Sequence, residues 1–140
     1  MRIGIVVAVL LLPIVLAGCT APATKAVMDS DQSQVQVRSY QTRAFDTTDK
    51  QKTLRTVIST MQDLGFVIDK ADATLGTVTG TKLDRYNLRL TVTVRPRGTT
   101  QLLVRANAQY NIQPVEDPKA YQDFFTALEK SMFLTAHEVD

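Results

Sequence analysis

Between Tyr86 and Arg95 apolar and polar residues alternate without a break. Tyr86, Leu88, Leu90, Val92 and Val94 hold one phase, and Asn87, Arg89, Thr91, Thr93 and Arg95 the other. A period of two sends these sets to opposite faces of an extended chain, so the segment is a strand with one dry and one wet side. A second run repeats the pattern, with Leu102, Val104, Ala106, Ala108, Tyr110 and Ile112 in the apolar phase against Arg105, Asn107, Gln109 and Asn111. Pro96-Arg97-Gly98 supplies turn residues between them, which predicts an antiparallel pair. A sheet with one apolar face needs a covering layer, and the flanking segments must supply it.

Two helices are predicted for that layer. Thr48-Asp49-Lys50-Gln51 has the order of a capping box, in which a threonine hydroxyl and a glutamine three residues later satisfy the first helical N–H groups. Leu54, Val57, Ile58, Met61 and Leu64 then recur at helical spacing, and Gly65 supplies a left-handed end. Asp117-Pro118 opens the second helix, whose apolar face is Tyr121, Phe124, Phe125, Leu128 and Met132. Phe133 and Leu134 are expected to close the core, and the small Ala106 and Ala108 leave room for a helix to approach.

The remaining strands are read from shorter signals. Val35 to Phe45 alternates loosely and predicts an irregular first strand; Phe66-Val67-Ile68 and Thr77 to Thr81 suit a hairpin around a turn over Lys70 to Gly76. The expected architecture is α+β: an antiparallel sheet of about four to five strands with two helices packed on one face, in the order β-α-β-β-β-β-α. It fills one domain, 35–140.

Ahead of that domain the chain changes character. Met1-Arg2 precedes an apolar run from Ile3 to Val15, and Leu16-Ala17-Gly18-Cys19 ends it with small residues before the chain's one cysteine. This layout is that of an export signal, 1–18. Its last four residues resemble the bacterial lipobox, Leu-x-[Gly/Ala]-Cys. That resemblance implies diacylglycerol transfer to the Cys19 thiol, cleavage between Gly18 and Cys19, and acylation of the new amino group. An uncleaved span from Ile3 to Cys19 is the competing reading, and no cluster of Lys or Arg follows Cys19 to stop transfer. Thr20 in place of aspartate after the cysteine implies, in the lipoprotein class, sorting to the outer membrane, with the domain facing the periplasm. Residues 19–34 then form the lipidated cysteine and a flexible tether, since Thr20 to Gln34 is rich in Ala, Thr, Ser, Asp and Gln without an apolar period.

Within the domain, the stretch from Leu54 to Lys82 contains a helix, Gly65-Phe66-Val67-Ile68-Asp69-Lys70, then Asp72, Gly76 and a Thr-Val-rich strand. It resembles the helix-grip repeats of BamC, an outer-membrane assembly lipoprotein. The resemblance implies a helix held against an antiparallel sheet. This chain carries one copy of the unit where that family carries two, so the family's partners are not transferred to it.

The chemistry-bearing residues are few. The chain's one histidine, His137, lies close to the C-terminus beside Glu138 and Asp140, where a frayed end is expected, and Cys19 is assigned to lipidation. Asp69, Asp72 and Asp84 fall at strand ends and turns. No catalytic residue, metal ligand or cofactor is therefore expected. The whole chain has 16 Lys and Arg against 14 Asp and Glu, and this balance leaves no electrostatic footprint for nucleic acid. Lys82, Arg85, Arg89, Arg95, Arg97 and Arg105 nevertheless cluster around the two long strands, and Arg89, Arg95, Arg105 and Asn107 form a candidate partner face. The leading expectation is a non-catalytic accessory or docking subunit of an envelope complex. The alternative is a small-ligand or lipid-binding lipoprotein with a pocket between the last helix and Tyr86, Leu90, Val104 and Tyr110. Because no other thiol can receive a diacylglyceryl group, Cys19→Ala should leave a slower-migrating precursor on a gel; normal maturation of that variant would refute the lipobox reading.

Overall fold

The computed structural model describes residues 33–84, 86–134 and 136–139, apart from the side chains of Asp84 and Tyr86. The expected signal, Gly18, Cys19 and the tether as far as residue 32 lie outside the described residues. The two alternating runs form β4 (Tyr86–Arg97) and β5 (Gln101–Tyr110), which pair antiparallel in one register from Leu88↔Tyr110 to Arg97↔Gln101. The chain turns between them through Gly98, in the left-handed region at φ 61°. On one side β3 (Thr77–Asp84) pairs β4 and β2 (Val67–Asp72) pairs β3. On the other, β1 (Thr42–Phe45) pairs β5 and β7 (Ala136–Glu138) pairs β1, while the short β6 (Gln113–Pro114) pairs the end of β5. The resulting order is β2-β3-β4-β5-β1-β7, and every pairing among the described residues is antiparallel.

Among the described residues three helices accompany this sheet: α1 (Gln34–Gln41), α2 (Lys50–Asp63) and α3 (Pro118–Met132). The class is the expected α+β, an antiparallel sheet with helices packed against it. Its sheet is wider than the four to five strands predicted, and α1 is an additional helix.

Four local differences have identifiable causes. Residues 34–41 are helical because Ser33 and Gln36 make the capping box: the Ser33 hydroxyl accepts from Gln36 N at 3.2 Å, and Gln36 Oε1 accepts from Ser33 N at 3.1 Å. That box replaces most of the predicted first strand, leaving Thr42–Phe45. The cap of α2 is Asp49 and not Thr48, since the Asp49 carboxylate accepts from Lys52 N at 2.9 Å. β5 stops at Tyr110 because Asn111 takes φ 54°, which throws Ile112 out of the apolar phase to 83% exposure. Phe133, expected in the core, caps α3 in the left-handed region and is 93% exposed, while Leu134 packs partly against the core.

The apolar phases meet as their spacing predicts. Val78, Leu90, Val92, Val94, Leu102 and Val104 face Leu54, Val57 and Met61 of α2 and Tyr121, Phe124, Phe125 and Leu128 of α3, all buried. Burying each large aliphatic or aromatic side chain contributes about 1.5–3 kcal/mol, and this layer holds the helices to the sheet. Gly80 lies in the same apolar phase of β3, where an added Cβ would stand 2.9 Å from both the Met61 methyl and the Val67 carbonyl oxygen. Its missing side chain lets α2 approach the sheet.

Where β1 ends, the edge of β5 is completed by a side chain. The Tyr121 hydroxyl donates to Val115 O at 2.6 Å and accepts from Ala108 N and from Gln41 Nε2, both at 3.2 Å. Ala108 O in turn accepts from Val115 N at 2.9 Å. One phenol thus joins α1, β5, the segment after β6, and α3. Tyr40 packs tilted beside it, with ring centroids 5.5 Å apart, and donates to Glu116 O at 2.8 Å. Burial, with Tyr121 and Glu116 nearby, pushes the Tyr40 phenol above its ordinary pKa and keeps it a donor.

The C-terminal strand, read from sequence as a frayed end, is fastened at Asp46. Its carboxylate accepts from Gln101 Nε2 at 2.7 Å and lies 2.8 Å from His137 Nε2. Arg43, in the inward phase of β1, lies 3.8 Å from Glu138, donates to the Ser39 and Thr42 carbonyls at the end of α1, and sits 5.2 Å over the Phe125 ring.

Two outcomes follow. Tyr121→Phe keeps the ring but leaves Val115 O, Ala108 N and the Gln41 amide without their buried partner, so urea unfolding should lose on the order of 1–3 kcal/mol; a change under about 0.5 kcal/mol would contradict the hub. Hydrogen bonds from Gln101 and His137 hold the Asp46 carboxyl below its ordinary pKa. A depressed folded-state pKa gives stability that is complete above the unfolded value and is lost as pH falls through the folded one. Amide protection of Ala136 to Glu138, corrected for intrinsic exchange, should therefore fall in the acid carboxylate range. Asp46→Asn should flatten that profile, and a flat profile in the wild type would count against the clasp.

Candidate functional site

The face of the sheet away from the helices is built by the polar phases of β3, β4 and β5. The register lays them out in rows. Thr79, Thr91 and Asn107 stand in line across the three strands, with the Thr79 and Thr91 hydroxyls 3.3 Å apart. The next row is Thr77, Thr93, Arg105 and Thr42, and the row beyond it is Arg95, Leu103, Ala44 and His137. In the other direction Thr81, Arg89 and Gln109 align. All four residues of the candidate partner face, Arg89, Arg95, Arg105 and Asn107, lie here and are exposed.

Three of the four border one depression. Arg95, Arg105 and Asn107 surround a hollow of about 310 Å³ whose remaining lining is Thr91, Thr93 and Leu103. Arg95 and Arg105 are diagonal neighbours, since Arg95 pairs with Leu103 and Thr93 with Arg105. Such diagonals bring long side chains within reach of one another. Arg89 stands one row past Asn107, and Arg97 extends the same phase of β4 toward the turn. Among the described residues no carboxylate lies within ion-pair distance of Arg89, Arg95, Arg97 or Arg105. The carboxylates at the β2 edge are used locally: Asp69 accepts from the Thr81 hydroxyl at 2.6 Å and Asp72 from Leu75 N at 2.8 Å.

Two members of the sequence cluster are not on this surface. Lys82 lies in the inward phase opposite Leu88 and donates to the carbonyl of Leu64, the C-cap of α2, at 3.0 Å. Arg85 lies outside the described residues. Conversely, Leu103 does not stand out in the sequence, although it shares the parity of Gln101 and Arg105. An apolar residue in the wet phase is the signal that could have found it.

A second concavity lies on the helical side, between the first half of α3 and the ends of β3, β4 and β5. Its volume is about 270 Å³, with Phe66, Leu88, Leu90 and Phe124 among its apolar walls and Lys82 and Asp123 among its polar ones. Of the residues expected around such a pocket, Leu90 and Tyr110 line it, whereas Val104 is sealed in the core. The Tyr86 side chain lies outside the described residues. The Asp123 carboxylate, hydrogen-bonded to Lys119 Nζ at 2.7 Å, holds that ammonium above its ordinary pKa, so the acidic charge on this rim already has a partner.

Among the described residues no helix is long and apolar enough to cross a membrane. In comparisons with known proteins, the chain matches no protein-family model and no curated protein at a significant level.

Proposed function

We propose that this chain is a lipoprotein of the outer membrane whose domain serves, without catalysis, as a docking subunit of an envelope complex, and that the arginine-lined sheet face is its contact surface for an acidic partner. One observation carries the reading. Arg89, Arg95, Arg97 and Arg105 share one continuous face, interleaved with threonines, and lack a carboxylate partner among the described residues. Guanidiniums with no carboxylate partner among the described residues can make bidentate hydrogen bonds to an incoming carboxylate, and they steer an acidic partner before contact. The hollow between Arg95 and Arg105 gives such a group a place to seat, with the Thr91, Thr93 and Asn107 side chains as further hydrogen-bonding groups.

A second reading, a binder of small ligands or lipids, is favoured by the groove beside α3 with its Phe66, Leu88, Leu90 and Phe124 walls. The two sites occupy opposite sides of the sheet, so substitutions on one leave the other intact.

Arg95→Glu combined with Arg105→Glu tests the leading reading. Both side chains are solvated, so unfolding free energy should move by less than about 1 kcal/mol. Crosslinking to envelope proteins in intact cells should fall by about tenfold or more, and the residual association should depend less on salt. The membrane-bound protein is the right sample, because tethering raises local concentration at the interface. An unchanged crosslinking pattern with the fold intact would remove these arginines from the interface.

A further inference from the structure

Of the large apolar side chains that the described residues expose, four gather at one end of the sheet. Leu83 is 84% exposed at the end of β3, and Ile112 is 83% exposed just past β5; Val67 and Tyr110 are also exposed. The register brings them together. Val67 stands opposite Thr81, two residues before Leu83 on the same face of β3. Leu83 stands opposite Asn87, whose carbonyl accepts from the N–H of Asn111, the neighbour of Ile112, at 2.9 Å. Tyr110 pairs with Leu88 on the adjoining rung, at the same end of the sheet but on its helical face.

A basic group lies behind this apolar end. Exposed Arg89 pairs with Thr81, two rungs back from the Leu83↔Asn87 pair and on the same face, whereas Lys82 lies in the inward phase and is held by Leu64 O. An apolar fringe backed by an arginine is an arrangement that bilayer interfaces take up: apolar side chains reach about 5–10 Å into the headgroup and acyl boundary, with the guanidinium at the phosphates.

We propose that the end of the domain bearing Leu83 and Ile112 rests in the interface of an anionic bilayer, as a second membrane contact beside the N-terminal anchor. The occupant is a bilayer because of the chain ahead of Ser33. It carries the apolar run Ile3 to Val15 and then Cys19, and the residues between Cys19 and Ser33 can extend no further than about 45–50 Å. The proposal thus rests on the anchored reading given above. Contact at this end stands the strands steeply on the membrane, so the arginine face looks sideways, toward a partner in the same membrane.

The chain contains no tryptophan, so single-tryptophan variants report their own surroundings. Leu83→Trp and Ile112→Trp probe the proposed contact. Leu75→Trp and Phe133→Trp are controls, since both residues are exposed at the opposite end of the sheet, in the β2–β3 turn and past α3. The full chain is reconstituted into vesicles of phosphatidylethanolamine and phosphatidylglycerol, and flotation is measured beside emission. The expected result is flotation of all four variants. Emission at 83 and 112 should shift to the blue and lose roughly half or more of its intensity to brominated acyl chains, while 75 and 133 stay unshifted. Flotation with no shift at 83 and 112 overturns the proposal and leaves the anchor standing. A blue shift without bromolipid quenching assigns the end to a second protein copy and also overturns it. Equal quenching at all four sites means unoriented adsorption, which overturns the oriented contact as well. Failure to float removes both the anchor and the contact.

Discussion

The hydroxyl of Tyr121 is the interaction on which the arrangement of this domain turns. β1 reaches only as far along β5 as Arg105, and β6 pairs only at Gln109 and Tyr110, which leaves a gap in the edge of β5 between them. A buried backbone N–H in such a gap costs about as much as a lost hydrogen bond unless something replaces the missing strand. The phenol supplies an acceptor to Ala108 N, and the returning chain supplies Val115 N to Ala108 O. The gap in turn lets α1 leave the sheet and pack beside α3. Had β1 continued as a strand past Thr42, this site would be an ordinary ladder rung and α3 would have lost its buried hydroxyl partners.

Much of this was legible in the sequence wherever periodicity was long and local. Ten residues of strict alternation in β4 and a matching run in β5 determine which side of each residue is dry, and therefore which side carries Arg89, Arg95, Arg105 and Asn107. The stripes of α2 and α3 are equally direct. What escaped was short or non-local. Val35 and Val37 are two apart, as in a strand, and the decision lay with Ser33 and Gln36, whose capping geometry outweighs two valines in so short a segment. β7 has only three residues, and its pairing depends on β1 some ninety positions earlier and on Asp46. The departure of Ile112 followed from one backbone angle at Asn111.

The two concavities differ in the same respect. The arginine-lined hollow belongs to adjacent strands of one hairpin, so parity alone could assemble it. The groove beside α3 draws its walls from the end of α2, from three strands and from α3, and only the register of the finished sheet brings Phe66, Leu88 and Phe124 together. Sites built from one supersecondary unit can be read from sequence; sites built between units need the fold first.

The sheet order also governs when the domain can assemble. Among the described residues β1 is the first strand in the chain, yet its neighbours are β5 and β7, the latter formed by residues 136–138. β1 has no partner until β5 is made, and its other edge stays open until β7 is added. Long-range closure of this kind is slow, because the chain between β1 and its partners must be ordered before the pairing rewards it. The strands β1 and β7 are thus the last part of the sheet to be completed, after the β2–β5 meander, whose neighbours are close in the sequence.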